Sequence, residues 1–316
     1  MPDYPRLARL TTPAALRARF HELNLVLDLD DERLPAPQSP LAQPLRLPAD
    51  GRRIANRWCI QPMEGWDGTP DGKPSELTRR RWRRFGESGA KLIWGGEAVA
   101  VCAAGRANPH QLLINEGNLG ELTHLRRTLV EAHTNRWGVE GLLVGLQLTH
   151  SGRFSRPENR PQPIILYHHP LLDRRMGLDA SYPLISDAQL DDLTGDFVRA
   201  ARLAQAAGFD FVDIKHCHGY LLHEMLSALE RPGRYGGTFE NRTRFLQQVV
   251  AAIRNEAPGL LIGVRLSAFD FIPFTAGEDG VGRPEAWPVE RGYPYAFGGD
   301  GSGTGIDLRE THQFLD

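Results

Sequence analysis

Five short apolar runs, separated by amphipathic stretches, constrain this chain more than any other feature. They cover residues 57–61, 91–101, 142–149, 209–215 and 260–267. Between them, residues 75–88, 118–136, 187–207 and 239–255 carry apolar side chains at helical spacing. Ser186 is placed to cap the third of these, and Gly208 ends it. Strands alternating with helices predict parallel βαβ units. Runs that are apolar on both faces predict a sheet covered by helices or closed into a barrel. The expected fold class is α/β, with a helix-covered parallel sheet and a (β/α)8 TIM barrel both open on periodicity alone. In such a barrel, function sits in the loops after the C-terminal ends of the strands. The polar residues there are Gln61-Pro62-Met63-Glu64, Glu97-Ala98, Gln147 with His150, Lys215 through Tyr220, and Arg265. Upstream, residues 12–24 read as a helix with Thr12 as its cap and Pro13 at its first position, and residues 44–63 hold a hairpin turning at Asp50-Gly51. Residues 155–186 and 270–305 are excursions rich in turn formers, and a last helix begins near Ile306.

Charge and composition exclude several classes. With 39 acidic and 37 basic residues, the chain lacks the basic excess of a nucleic-acid or polybasic membrane binder. The local run at residues 79–84 (RRRWRR) reads as the solvated face of a helix. Three scattered cysteines without a CxxC pair argue against a disulfide framework or a thiolate metal site, and no metal is expected. Residues 1–5 lack the pattern of a secretory leader, and no apolar run is long enough to span a bilayer. A cytoplasmic setting is the expectation, with self-association into a homo-oligomer left open. Neither glycine cluster, 95–96 or 299–303, has the spacing of a dinucleotide-binding turn.

The densest polar cluster is Lys215-His216-Cys217-His218-Gly219-Tyr220, directly after a strand. A cation, two imidazoles and a phenol so placed can polarise an oxygen and deliver a proton. Its setting, AGFDFVDIKHCHGYLLHEMLSALERPGRYGGTFENRTRF over residues 207–245, resembles the fourth strand, loop and helix of the old yellow enzyme family of FMN-dependent oxidoreductases. Four further segments resemble that family in its own order: Asn56-Arg57 with Gln61-Pro62-Met63, Glu97-Ala98, Gln147 with His150-Ser151-Gly152-Arg153, and Val264-Arg265-Leu266-Ser267. The resemblance implies FMN as cofactor and NAD(P)H as co-substrate. Pro62 and Met63 would lie along the flavin, and Ala98 would touch the ring edge. Gln147 would hydrogen-bond the pyrimidine part, and Arg265 would place positive charge near N1 and O2. Hydride would pass from NAD(P)H to the flavin and on to the β-carbon of an alkene conjugated to a carbonyl. The implied partner is a small molecule carrying that group. Lys215 and His218 stand at the family's oxygen-binding pair and Tyr220 at its proton-donor position, with an ordinary phenol pKa near 10 keeping the proton in place at neutral pH.

The chain departs from the family at Lys215, where histidine is usual. A lysine is a flexible point charge that binds an anion or pairs with an acid elsewhere. His216 alternates away from Lys215 and reads as a core or supporting residue, and Cys217 as a small buried one. Gln147 and Arg265 each have a plain structural reading as well, as buried hydrogen-bond or ion-pair partners. Two other readings stay open: a Schiff-base enzyme using Lys215 as nucleophile, and a non-catalytic, truncated product. Residues 1–44 are expected to be an N-terminal extension and 45–316 a barrel domain supplying strands one to five. On that reading strands six to eight are not present, nor is the phosphate site expected after strands seven and eight. Glu64 and Trp66 receive no role.

Overall fold

The computed structural model describes residues 6–48 and 50–316. Residues 1–5, read above for a leader, and Ala49, within the expected hairpin, lie outside the described residues. The chain divides into two compact units, Met1–Arg57 and Trp58–Asp316. In the first, α1 (Pro13–Glu22) starts where the capping pattern places it: the Thr12 hydroxyl accepts from the Ala15 N–H at 3.1 Å. Strands β1 (Leu45–Arg46) and β2 (Arg53–Ile54) pair antiparallel, and Gly51, at φ +72°, supplies the left-handed residue of the turn.

The second unit runs β3 (Cys59–Ile60), α2 (Glu76–Glu87), β4 (Leu92–Ile93), β5 (Ala98–Ala100), α3 (Leu119–Trp137), β6 (Leu143–Thr149), α4 (Pro170–Met176), α5 (Asp187–Ala206), β7 (Phe211–His216), α6 (Leu221–Leu226), α7 (Phe239–Glu256), β8 (Leu261–Leu266), β9 (Phe274–Ala276), β10 (Gly282–Pro284) and α8 (Arg309–Leu315). Its main sheet is parallel in the order β3-β4-β6-β7-β8, with β5 paired to the end of β6. This is the strand order of successive barrel staves. The apolar run at 91–101 forms two short strands because the chain bends at Gly95-Gly96. Gly96 takes φ +46°, and a Cβ there would sit 2.7 Å from the Trp82 ring. Every residue of β6 and β7 is buried, as the two-sided apolar runs predict.

Helices start where capping residues stand. Ser75 opens α2 with a reciprocal box to Thr78, and Ser186 opens α5 with one to Gln189. Leu190, Leu193, Phe197, Ala200, Ala201 and Ala204 form the buried stripe of α5. The arginine-rich run of α2 matches the expected solvated face at Arg80, Arg83 and Arg84, which are exposed, and differs at its other positions. Trp82 is fully buried in the core, Arg79 pairs with Glu121, and Arg81 turns inward to Asp67 and Glu97. Acids from neighbouring segments draw these arginines off the solvated face. The two excursions gain structure from each other: Leu171, from α4, packs with Ile272 and Tyr293 into a second small core. The hairpin β9–β10, and the short α6, whose Leu221, Leu222 and Met225 join the main core, were not legible as periodic segments.

Candidate active site

Side chains of a strand alternate between faces, so Asp213 and Lys215 share one face of β7 while Ile214 and His216 share the other. His216 packs its ring against Phe314 of α8, as its alternation from Lys215 predicts. On the opposite face the register aligns Ala98 with Gln147, Gln147 with Asp213, and Lys215 with Arg265. The sheet thus brings four of the expected site residues into adjacent rows. Gln147, 1% exposed, donates its amide N–H to Asp213 Oδ2 at 2.5 Å. The other carboxylate oxygen, Asp213 Oδ1, is buried without a partner. Burial pushes the Asp213 carboxyl up, against the lowering effect of Gln147. Pro62 is buried and Met63 exposed in the loop after β3. The Met63 carbonyl accepts from the Ala98 N–H at 3.0 Å, which locks the ends of the first two staves together.

Tyr220 and Lys215 converge on a residue that the sequence left without a role. The Lys215 ammonium pairs with Glu64 Oε1, and the Tyr220 hydroxyl donates to Glu64 Oε2 at 2.6 Å. Trp66 Nε1–H donates to the same oxygen at 3.2 Å. Lys215 is 3% exposed, and its nitrogen lies 3.8 Å from the centroid of the Tyr220 ring. Burial, together with the Glu64 charge and hydrogen bond, holds the phenol well above its ordinary range. Tyr220 therefore keeps its proton more firmly than its ordinary pKa implies. The only sequence signal for Glu64 was an acid directly after a strand end. For Asp213 it was a charged residue inside an apolar run.

His218 stands apart from this group. It takes φ +64°, rare for a side chain of its size, and its N–H donates to Ser267 Oγ at 3.4 Å. Its imidazole is exposed and lines a cavity of about 290 Å³ with Phe154, His223, Asp270 and Phe271. Burial of part of the ring, with the Lys215 and Arg265 charges, lowers its pKa and favours the neutral form. Cys217 is buried, and burial pushes its thiol up to about 11, which opposes nucleophilic use. Among the described residues, no group of three or more His, Cys, Asp or Glu side chains could hold a metal ion. Among the described residues, no helix is long and apolar enough to cross a membrane.

In chemical terms, the sheet face offers an amide, an unsatisfied carboxylate oxygen and the Arg265 cation. That set suits the edge of a planar heterocycle that alternates N–H and carbonyl groups. The imidazole at the cavity and the phenol near it suit an oxygen that gathers negative charge and a carbon that needs a proton.

Residues 40–281 match the NADH:flavin oxidoreductase / NADH oxidase family. An NADPH dehydrogenase of Geobacillus sp. is 33% identical over 232 residues, covering 71% of this chain and 62% of that protein. An NADH:flavin oxidoreductase of Gibberella zeae is 32% identical over 212 residues, covering 62% of this chain and 49% of its own length. The solved structure of the old yellow enzyme homologue of Zymomonas mobilis superposes with a TM-score of 0.59 at 26% identity, over 72% of this chain and 63% of that one. The chain thus spans less than two thirds of the length of each of these three proteins. With the family match running through all five strand ends, the chain belongs to the NADH:flavin oxidoreductase / NADH oxidase family.

Proposed function

We propose that this chain carries the ring-binding and substrate-facing part of an FMN-dependent oxidoreductase that uses NAD(P)H to reduce a carbonyl-conjugated alkene. The observation that carries the reading is the row formed by Ala98, Gln147 and Asp213, with Lys215 and Arg265 paired in register further along the same strands. When bound, FMN supplies hydride acceptance from NAD(P)H and hydride delivery to the β-carbon of the acceptor. Gln147 and Arg265 would hold the ring through its polar edge, with Pro62, Met63 and Ala98 beside it. His218 would donate to the carbonyl oxygen as charge builds there, which a neutral imidazole does without a desolvated cation. Tyr220 would deliver the proton to the α-carbon.

The Schiff-base alternative loses ground on Lys215 itself. A nitrogen already donating to a carboxylate is not presented to a carbonyl carbon. Borohydride in the presence of a carbonyl compound should leave Lys215 unmodified by mass spectrometry.

The test of the main reading is flavin titration of the purified chain, followed by absorbance and flavin fluorescence. Saturable binding is expected, weakened about tenfold or more in Arg265→Met, since a charge-assisted hydrogen bond contributes about 1.5–3 kcal/mol. A chain that takes up no FMN, or an Arg265→Met variant that binds it unchanged, would remove the reading.

A further inference from the structure

Glu64 is the hub of the site, accepting from the Lys215 ammonium on one oxygen and from Tyr220 and Trp66 on the other. The loop behind it is pinned. The Gly65 N–H donates to Glu97 Oε1 at 2.9 Å, and Arg81 joins Glu97 to Asp67. Trp66 is held at φ +48°, a conformation that a bulky residue keeps only when its surroundings impose it. The structure therefore spends several interactions on keeping one carboxylate between a cation and a phenol.

We propose that Glu64 and Lys215 are positioning residues for proton delivery: Glu64 holds the Tyr220 hydroxyl and conducts a proton from the Lys215 ammonium to the Tyr220 oxygen once that oxygen has protonated the substrate. The proposal rests on the oxidoreductase reading above and goes beyond it by removing Lys215 from substrate-oxygen binding. That task falls to His218, which lines the cavity.

The Tyr220 O–H bond breaks as a C–H bond forms at the substrate α-carbon, and the enolate charge is discharged. The phenolate then takes a proton along the Glu64 carboxylate, and an N–H bond of Lys215 breaks. Lys215, left as the amine, regains a proton from solvent. The physical motive is charge. A phenolate against the Glu64 carboxylate would place two like charges in contact, and the Lys215 nitrogen, bonded to Glu64 and lying over the ring, is the cation placed to relieve them. The other groups acting on the phenol or its neighbours are Ser151 and Cys217 on Tyr220 itself, and Arg265 and His223 through His218. The first two carry no positive charge, burial holds His223 toward its neutral form, and a guanidinium is not a proton donor in proteins.

Carbon-13 NMR of chains labelled at tyrosine Cζ, with Tyr220→Phe to identify the resonance, reads the phenol directly and without turnover. In the wild type the Tyr220 resonance should stay in its protonated position to the alkaline limit of the fold. In Glu64→Gln the resonance should begin to move toward its phenolate position within that range, since the neighbouring charge is gone. Lys215→Arg keeps the ion pair and the fold while removing a transferable proton. It should leave the Tyr220 resonance in place yet lower kcat by about 100-fold with little change in KM. A Tyr220 titration identical in Glu64→Gln and wild type would overturn the proposal, as would full kcat in Lys215→Arg. A Lys215→Arg variant that raises KM at unchanged kcat would return Lys215 to substrate binding and overturn it too. If flavin-loaded wild type turns over no conjugated carbonyl while the Glu64→Gln shift is present, the oxidoreductase reading fails and the coupling of Glu64 to Tyr220 stands.

Discussion

At the scale of single residues, burial sets the behaviour of this protein more than sequence position does. His150 and His216 are buried enough to lower both imidazoles to about 4, whereas an unfolded histidine titrates near 6.5. Between those values the unfolded chain binds more protons, so stability from these residues is present above about pH 6.5 and is lost as pH falls toward about 4. Glu97 and Glu224 act in the opposite sense. Burial raises each to about 7 against the pull of Arg81 and Arg153, so the folded form takes up protons as pH falls from 7 toward the ordinary carboxylate range. The histidine contribution can be isolated with His216→Leu. Its stability relative to wild type should rise by about 2–3 kcal/mol between pH 7 and pH 4 in urea unfolding. A pH-independent difference would rule out the neutral buried histidine. Gln147, Lys215, His218, Tyr220 and Arg265 were legible as site candidates because each lies in the last three residues of an apolar run or just after it. Glu64 was not, because a lone acid after a strand has no partner written beside it.

At the scale of elements, local chemistry carries most of the information. Ser75 and Ser186 each announce a helix start, and both make the reciprocal hydrogen bonds of a capping box. Ser75→Ala should cost about 1 kcal/mol, read from the thermal midpoint; an unchanged midpoint would mean that the packing of α2 alone holds its first turn. The faces of α2 were less legible than its ends. Its one buried aromatic, Trp82, sits within a run of arginines, and Gly86 lets the helix approach α3. A Cβ on Gly86 would run into the Leu129 carbonyl oxygen. Gly86→Ala should therefore destabilise by about 1–3 kcal/mol, despite the better helix propensity of alanine. A stabilised Gly86→Ala protein in urea unfolding would contradict this close approach.

At the scale of the whole molecule, the sheet grades from enclosed to edge. β6 is hydrogen-bonded on both sides and buried throughout, whereas β8 pairs only with β7 among the described residues and is half-buried. Amide exchange should follow that order, with β8 exchanging roughly tenfold or more faster than β6; equal protection of the two strands would mean that the edge of β8 is covered. By itself the sequence determined the alternation of strands and helices, the caps and the strand-end residues. Periodicity, capping and strand-end polarity act within a few residues of one another. Only the tertiary structure decided that Glu64 meets Lys215 and Tyr220, which lie 151 and 156 residues further along. Parallel staves place distant strand ends side by side, and no local pattern records which opposite charges or which donor and acceptor will meet there.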